Sequence, residues 1–334
     1  MNNLLFIYIV SLILPYIVLV KREKIGNYFN LIDKPDNLRK LHKIDVPLIG
    51  GIYLYFSFLI YFILFNLFND GFQIRFTLSF FLIITSYFII GLMDDIIKIK
   101  SISRIFLIIF ATLIACSFTK EFQIEKIYIS FFKPETSINL SIYFTIFCIL
   151  VLNIAINLSD GENGVTSSIN TVWLIFFCYL FFEIDKNFYY IILLFIVTSI
   201  IFTIFNLKSK CFLGSSGCNV LSSISAFSAI YLNHETKIYS DTIFIFFLIP
   251  GLDMIRVIFT RLLNKKNPFS PDRDHLHHLL EKIIDKNLIF LLYSFIIILF
   301  CLSALLLQDF NLYIILFGII SYSILILYLK SISK

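Results

Sequence analysis

Long apolar runs recur along the whole chain, and they constrain the fold more than any other feature of the sequence. A helix needs about 20 apolar residues to cross the hydrocarbon core of a bilayer. Hydrophobic residues make up 59% of the 334 residues and charged residues only 15%, whereas a soluble domain carries about 25% charged residues. Eleven runs have the character of a membrane span, and they cover residues 3–20, 48–67, 76–93, 104–119, 139–157, 166–182, 188–206, 219–233, 242–262, 287–305 and 311–329.

The sequence therefore predicts an all-α polytopic integral membrane protein with about eleven transmembrane helices, in which residues 1–334 form a single transmembrane domain. The eighth run is diluted by four serines, so we expect a short span there. Between spans four and five, residues 120–138 could form a small hairpin outside the membrane.

Most basic residues lie on one side of these spans. Of the 27 Lys and Arg residues, 21 fall in the segments after spans one, three, seven and nine and at the C-terminus. Because cytoplasmic loops carry the excess of Lys and Arg, we expect the N-terminus outside and the C-terminus in the cytoplasm. Four of the five histidines and most glycines fall in or beside the same segments, which predicts chemistry at the cytoplasmic face. These basic segments are short and separated by apolar runs, so no nucleic-acid-binding surface is indicated.

An acidic pair stands at the cytoplasmic end of span three. Asp94 and Asp95 are adjacent, and their charges repel unless a proton or a cation offsets them. A carboxylate-bound metal with Lys98 nearby would suit a reaction between phosphate groups. The alternative is a solvated helix end, although aspartates at a helix C-terminus oppose the macrodipole.

The loop after span five combines turn-forming residues with acids. It runs from Asn157 through Asp160 and Glu162 to Asn163 and Gly164 and contains no Lys or Arg. An ordinary turn is the alternative, because Asn, Asp, Gly and Ser are turn formers. The absence of a local ion pair favours a metal or a substrate.

Two further segments resemble phosphate-binding sites. Residues 212–218 could form a backbone nest for an anion at a helix start, although their spacing alone favours a flexible turn. Residues 267–278 contain Asp-Arg-Asp followed by three histidines in four residues. Arg273 can bind a phosphate with two hydrogen bonds. One histidine would usually be structural, but a dense cluster suits metal binding, phosphate binding or proton transfer.

Charged residues at two other places can be interpreted either as functional or as purely structural. The basic residues of the segment 33–51 could hold a lipid headgroup, or could form an ordinary positive cytoplasmic loop. Asp253 and Arg256 lie inside span nine, where ionisable side chains are costly and are either functional or paired with each other.

Together these segments resemble the polyprenyl-phosphate N-acetylhexosamine-1-phosphate transferase family, glycosyltransferase family 4. The resemblance rests on Arg-Lys-x-His followed by Pro-Leu-Ile-Gly-Gly, on the Asp-Asp pair that closes a helix, and on Pro-Phe-x-x-Asp-Arg-x-His-x-His-His. Their order and the eleven-span layout agree with the family along essentially the whole chain. The first and last of these segments are more similar to the branch that acts on UDP-GlcNAc or related sugars than to the phospho-MurNAc-pentapeptide translocase.

The resemblance implies transfer of N-acetylhexosamine 1-phosphate from a UDP-sugar to undecaprenyl phosphate, with release of UMP. That reaction is the first membrane step of cell-surface polysaccharide synthesis, at the cytoplasmic face of a bacterial inner membrane. It implies a requirement for Mg²⁺, for which Mn²⁺ could substitute, and leaves a homodimer open. The catalytic residues that the resemblance implies are Asp94, Asp95, Asp160, His275, His277 and His278. The three aspartates among them would also hold the metal. The implied substrate-binding residues are Arg39, Lys40, His42, Asn157, Asn163, Phe212 and Arg273.

The chain departs from the family pattern at two acids. The family commonly has Gly-Asp-x-Gly-Ser, with a metal-binding aspartate, where this chain has Ser215 after Gly214. The second aspartate of Asp-Gly-x-Asp-Gly is Asn163 here, which can still bond a uracil edge. A divergent, weakly active or non-catalytic paralogue is therefore one alternative, and a membrane transporter is another. A transporter should show paired broken helices and polar residues at the midplane, whereas the polar residues here gather at one face.

Overall fold

The computed structural model of the protein describes residues 2–35, 44–68, 74–132, 137–236, 238–268 and 273–332. Within these ranges the chain is mostly helical. The α-helices, numbered in chain order, are α1 (Asn2–Val20), α2 (Arg22–Tyr28), α3 (Gly50–Phe68), α4 (Ile74–Ile97), α5 (Ser101–Phe118), α6 (Ile142–Ser159), α7 (Val165–Phe181), α8 (Lys186–Leu207), α9 (Gly214–Glu235), α10 (Ser240–Phe246), α11 (Leu248–Leu263), α12 (Leu276–Leu280), α13 (Lys286–Leu306) and α14 (Asn311–Ile332).

The strands are short and form two antiparallel pairs. One pair joins β1 (Ile32–Asp33) to β2 (Val46–Pro47), and the other joins β3 (Lys126–Tyr128) to β4 (Ser137–Asn139). The second pair confirms the small hairpin expected between spans four and five. The first pair leads to the site, because the chain after β2 runs beside Phe212. The Phe212 N–H donates to the Pro47 carbonyl at 2.9 Å, and the Gly50 N–H donates to the Phe212 carbonyl at 3.0 Å.

Eight helices in the described ranges are long and apolar enough to cross a membrane, namely α1, α3, α4, α5, α6, α8, α13 and α14. Helices α10 and α11 meet at a bend of 68° and together can form a ninth span. The shorter apolar α7 and the polar α9 occupy the two remaining predicted spans. The prediction of an all-α polytopic membrane protein is confirmed, while the exact number of spans and their orientation stay predictions.

The bend between α10 and α11 has a local cause. Pro250 has no N–H, so the carbonyl of Phe246 four residues earlier loses its helical partner. The indole Nε1 of the buried Trp173 on α7 donates to that carbonyl at 2.7 Å. A backbone group in the apolar interior must be satisfied within the protein, and this tertiary hydrogen bond meets that need.

Helix α9 stands at the centre of the bundle, where it packs against α3, α4, α6 and α7. The expectation of a short eighth span is wrong, because α9 has 22 residues and is buried over almost its whole length. Its polar side chains bond to neighbouring helices: the Asn153 amide donates to Ser222 Oγ at 2.8 Å, and Ser225 donates to Asn170 Oδ1 at 3.0 Å. A helix surrounded by protein needs no lipid-facing apolar surface, which explains its low hydropathy.

Candidate active site

A polar cavity of about 480 Å³ lies where the ends of α4, α6, α9 and α13 meet. The segment around α12 forms another wall. Both charge signs are present among the lining side chains. The acidic, basic and histidine side chains among them are Asp33, Asp95, Asp160, Glu162, Arg261, Arg273, His275, His277, His278 and Lys286. The structure thus gathers the acidic pair, the loop after α6, the start of α9 and the histidine segment, which are far apart in sequence.

Asp95 joins the end of α4 to the start of α9. Its carboxylate accepts hydrogen bonds from the backbone N–H groups of Ser215 (2.7 Å) and Ser216 (3.0 Å) and from the Ser216 hydroxyl (2.7 Å). Gly214 has φ +72°, and a Cβ there would lie 2.7 Å from an Asp95 oxygen, so the close approach requires glycine. The anion nest suggested by residues 212–218 does form, and the anion in it is Asp95.

Asp94 has different partners. One of its oxygens, Oδ2, accepts from the Arg104 guanidinium at 2.9 Å and from the Ser215 hydroxyl at 2.7 Å. The resemblance led us to expect a metal-binding aspartate at the position of Ser215, and here the Ser215 hydroxyl is instead a hydrogen-bond donor to Asp94. Arg104, in the first turn of α5, provides the positive charge that offsets the acidic pair.

Asp160 immediately follows α6 and is exposed to the cavity. It makes no ion pair with any Lys, Arg or His in the described part of the chain. An exposed carboxylate oxygen is a ligand that hard divalent cations prefer. Asp95 and Asp160 line the same cavity and would be the residues that hold such a cation there. Asp94 is not among the residues that line it, and its role as a metal ligand stays a prediction.

His275 is held on both sides of its ring. Its Nδ1 lies 2.9 Å from Asp253 Oδ2, and its Nε2 lies 3.3 Å from the Arg261 guanidinium. A carboxylate only accepts, so Nδ1 carries a proton in this contact. Asp253 also accepts from the Leu276 N–H at 3.1 Å, which fixes the start of α12 against α11. His275 is therefore placed as an anchor of the histidine segment.

Arg256 and Tyr322 complete that anchor. The Arg256 guanidinium donates to Asp253 Oδ1 at 2.8 Å and to Asp274 Oδ2 at 3.0 Å, and the Tyr322 hydroxyl donates to Asp253 Oδ1 at 2.7 Å. Lys330 on α14 lies 3.2 Å from Asp274. Asp253 and Arg256 are therefore paired with each other, which was one of the two interpretations of these residues. Their contacts hold α11, α12 and α14 together beside the cavity.

His277 is the most deeply buried of the three histidines in this segment. It is 1% exposed, and neither of its ring nitrogens has a hydrogen-bond partner in the described part of the protein. A Cβ on Gly161 would overlap its Nε2, so the glycine between Asp160 and Glu162 makes room for the ring. Burial, reinforced by His278 and His275, lowers the pKa of His277 well below its usual value. The ring is therefore neutral at pH 7.

A second charge cluster surrounds Glu281. Its carboxylate contacts both the Arg273 guanidinium and the Lys286 ammonium, and His278 Nδ1 lies 3.2 Å from the neighbouring Glu162. Burial alone would raise the pKa of Glu281, but Lys286 and Arg273 beside it hold the pKa below its usual value.

Glu162, His278 and Glu281 are the one group of three ligand-type side chains in the described ranges whose ligand atoms lie within 4.8 Å of one another. The three aspartates predicted as metal ligands do not form such a group. A divalent cation on Glu281 would meet the positive charges of Arg273 and Lys286, so we interpret the Glu162–His278–Glu281 group as part of an ion-pair network.

The remaining predicted residues are only partly placed. Asn157 and Asn163 line the cavity, and the Asn163 amide donates to Ser209 at 2.8 Å. Phe212 lines the cavity as well. The predicted headgroup-binding residues Arg39, Lys40 and His42 lie outside the described residues.

Four residues beside the site were missed by sequence reasoning: Arg104, Arg261, Glu281 and Lys286. Their signal was weak, since each is a charged residue near a predicted helix end on the side that the charge count predicts to be cytoplasmic.

The fold and this cavity define a polytopic membrane protein whose carboxylates and cations converge on one polar site at the ends of its helices. The profile of the family described as Glycosyl transferase family 4 matches residues 77–233. An undecaprenyl-phosphate alpha-N-acetylglucosaminyl 1-phosphate transferase of Thermotoga maritima is 31% identical over 258 residues, which are 76% of this chain and 74% of the relative.

Two other relatives carry related names. A probable undecaprenyl-phosphate N-acetylglucosaminyl 1-phosphate transferase of Bacillus subtilis is 25% identical over 340 residues, covering 100% of this chain and 92% of the relative. The undecaprenyl-phosphate alpha-N-acetylglucosaminyl 1-phosphate transferase of Escherichia coli is 26% identical over 278 residues, covering 78% and 71%. The chain belongs to glycosyl transferase family 4.

Proposed function

We propose that the protein transfers N-acetylglucosamine 1-phosphate, or the 1-phosphate of a related N-acetylhexosamine, from a UDP-sugar to undecaprenyl phosphate. An oxygen of the lipid phosphate attacks the phosphorus that carries the sugar. The bond from that phosphorus to the bridging oxygen breaks, and UMP leaves with that oxygen. The lipid product then carries the sugar on a new diphosphate linkage.

The observation that carries this proposal is the arrangement of charge in the polar cavity. Carboxylates of α4 and of the loop after α6 form one part of the wall, and Arg273 with the histidine segment forms another. A diphosphate bound between them would meet donors for its oxygens, while a cation on the acidic side would offset the charge that develops during phosphoryl transfer. Positioning and electrostatics are the main contributions an enzyme makes to this chemistry.

The side chains have distinct roles in the proposal. Arg273 and the neutral His277 would hold phosphate oxygens of the donor, and Asn157 with Asn163 would contact the uridine end. An Mg²⁺ ion would be held by Asp160 and Asp95 and would supply charge neutralisation at the diphosphate, and Mn²⁺ could use the same oxygen donors. The site would face the cytoplasm of a bacterial inner membrane.

The test is a transfer assay with purified, folded protein. Undecaprenyl phosphate, Mg²⁺ and a panel of UDP-N-acetylhexosamines labelled in the sugar are incubated, and the lipid fraction is extracted. We expect label in the lipid with at least one sugar, dependent on the acceptor lipid and on a divalent cation. Asp160→Asn is the matched inactive control. Folded wild-type protein that labels no lipid with any sugar would refute the proposal.

A weakly active or non-catalytic member of the family is the second candidate, and the contacts of Asp94 favour it. The Ser215 hydroxyl donates to Asp94 at 2.7 Å and the Arg104 guanidinium donates to it at 2.9 Å. The resemblance implies a further carboxylate at the position of Ser215. Ser215→Asp in the same assay separates the two candidates. A large gain of transfer would show that wild type lacks a needed ligand, whereas an active wild type whose rate Ser215→Asp leaves unchanged or lowers would show that the chain works with the carboxylates it has.

A further inference from the structure

Lys286 is a charged residue of the cavity wall, and the catalytic and binding roles proposed above do not include it. It is the first residue of α13, and Asp285 caps that helix by accepting from the Asn287 N–H at 2.8 Å. Side chains at the start of a helix lean towards its N-terminus, which here is the cavity side. Lys286 lines the cavity, and half of its side chain is exposed.

Glu281 connects Lys286 to Arg273. One carboxylate oxygen, Oε1, contacts the Lys286 ammonium, and the other, Oε2, contacts the Arg273 guanidinium. The Glu281 side chain is only 14% exposed, while those of Lys286 and Arg273 are 50% and 31% exposed. The carboxylate therefore sits behind the two cations and spaces them along the wall.

That spacing suits a second bridging anion. Two cations that share the oxygens of one carboxylate are close enough to share the oxygens of one phosphate group. Lysine offers three N–H donors and arginine five, which is more than Lys286 uses on Glu281 or Arg273 uses on Glu281 and on the Glu162 carboxylate 4.0 Å away. Hydrogen bonds from charged donors bind an oxyanion more strongly than hydrogen bonds from neutral donors do.

We propose that Lys286 and Arg273 form a two-cation cradle for the diphosphate of a nucleoside diphosphate sugar, with Glu281 as the residue that positions both. Lys286 thereby becomes a further substrate-binding residue, and Glu281 a positioning residue. The proposal rests on the proposed function, since it names the part of the donor that this side of the cavity holds.

The test compares binding of UDP, UMP and uridine to full-length protein in detergent, by calorimetry. Lys286→Gln is the variant, and Lys282→Gln is the matched control, because Lys282 is an exposed lysine in the same segment that does not line the cavity. We expect Lys286→Gln to weaken UDP binding about tenfold and to leave uridine binding nearly unchanged. Lys282→Gln should alter neither by more than about twofold.

Two further variants separate binding from stability. Lys286→Arg keeps the charge and should retain most of the affinity for UDP. Glu281→Gln leaves both cations without their shared carboxylate, and we expect a smaller loss for UDP than for Lys286→Gln, again without a loss for uridine. A purely structural ion pair would instead lower the unfolding midpoint and weaken all three ligands equally.

The outcomes distinguish this proposal from the one on which it rests. Wild-type protein that binds none of the uridine ligands would overturn both. Wild-type protein that binds UDP, with the same preference for UDP over uridine in Lys286→Gln, would overturn the cradle and leave the transferase proposal standing.

Discussion

Replacement of Asp95 tests whether this carboxylate holds the site together as well as facing the cavity. Asp95→Ala removes three hydrogen bonds at the start of α9, two of them to backbone N–H groups. N–H groups in the first turn of a helix have no partner within the helix. Because Ser216 is fully buried, water cannot easily replace the lost carboxylate there.

The magnitude follows from these contacts. Loss of a side-chain cap costs about 0.5–2 kcal/mol, and a hydrogen bond to a charged group contributes about 1.5–3 kcal/mol. We expect Asp95→Ala to lower the free energy of unfolding by about 2–4 kcal/mol. Asp95→Asn keeps one acceptor oxygen and should lose about half as much. Asp94→Ala breaks a partly exposed ion pair with Arg104 and a bond to one hydroxyl, so we expect a loss of about 1 kcal/mol or less.

The assay is equilibrium unfolding of the purified variants in mixed micelles, with the midpoint recorded by circular dichroism and by a labelled site on α9. Transfer activity is measured on the same samples below the transition. We expect both aspartate variants to lose activity and only the Asp95 variants to lose marked stability. Equal midpoints for Asp95→Ala and wild type, or an equal loss for Asp94→Ala, would refute the assignment of Asp95 as the tertiary cap of α9.

The remaining predictions concern the other side of the cavity. Asp160→Asn should lower the transfer rate at least about a hundredfold with little change in the unfolding midpoint, and a rate within a few-fold of wild type would contradict its role. Asp253→Asn should lower the free energy of unfolding by about 2–4 kcal/mol, because it removes the charge of the buried partner of His275 and Arg256. An unfolding titration measures this, and an unchanged free energy of unfolding would show that the anchor is dispensable. The lowered pKa of His277 means that the unfolded chain binds a proton below about pH 6.5 that the folded chain does not. Stability should therefore fall as the pH drops from 7 to 5, and His277→Gln should flatten that slope in unfolding titrations at several pH values.

Much of the fold was predictable because membrane spans have a strong one-dimensional signal. Apolar runs of about 20 residues identified a helix at each of the eleven predicted places. The length of α9 was not predictable from that signal. Its serines reduce its hydropathy, and only the packing shows that they face other helices rather than lipid.

The site was predictable as a set of motifs but not as a set of contacts. The sequence could place Asp94 and Asp95 at a helix end, but not show that Asp95 caps a helix about 120 residues later. Spacing alone could not show which histidine is anchored by a carboxylate and which has ring nitrogens without a hydrogen-bond partner in the described residues either. The Asp253 partner that anchors His275 lies on α11, and Gly161, which faces His277, lies in the loop after α6. These distinctions depend on tertiary contacts, which a linear pattern does not encode.

The central claim is that the protein transfers a sugar together with one phosphate. UDP-GlcNAc labelled with ³²P at the sugar-bearing phosphorus, incubated with undecaprenyl phosphate and the purified protein, tests it most directly. We expect the ³²P to move into the lipid fraction and one unlabelled UMP to be released for each labelled lipid. Label that stays in the aqueous phase as UDP while sugar reaches the lipid would contradict phosphoryl transfer, and no lipid product from folded protein would contradict the claim altogether.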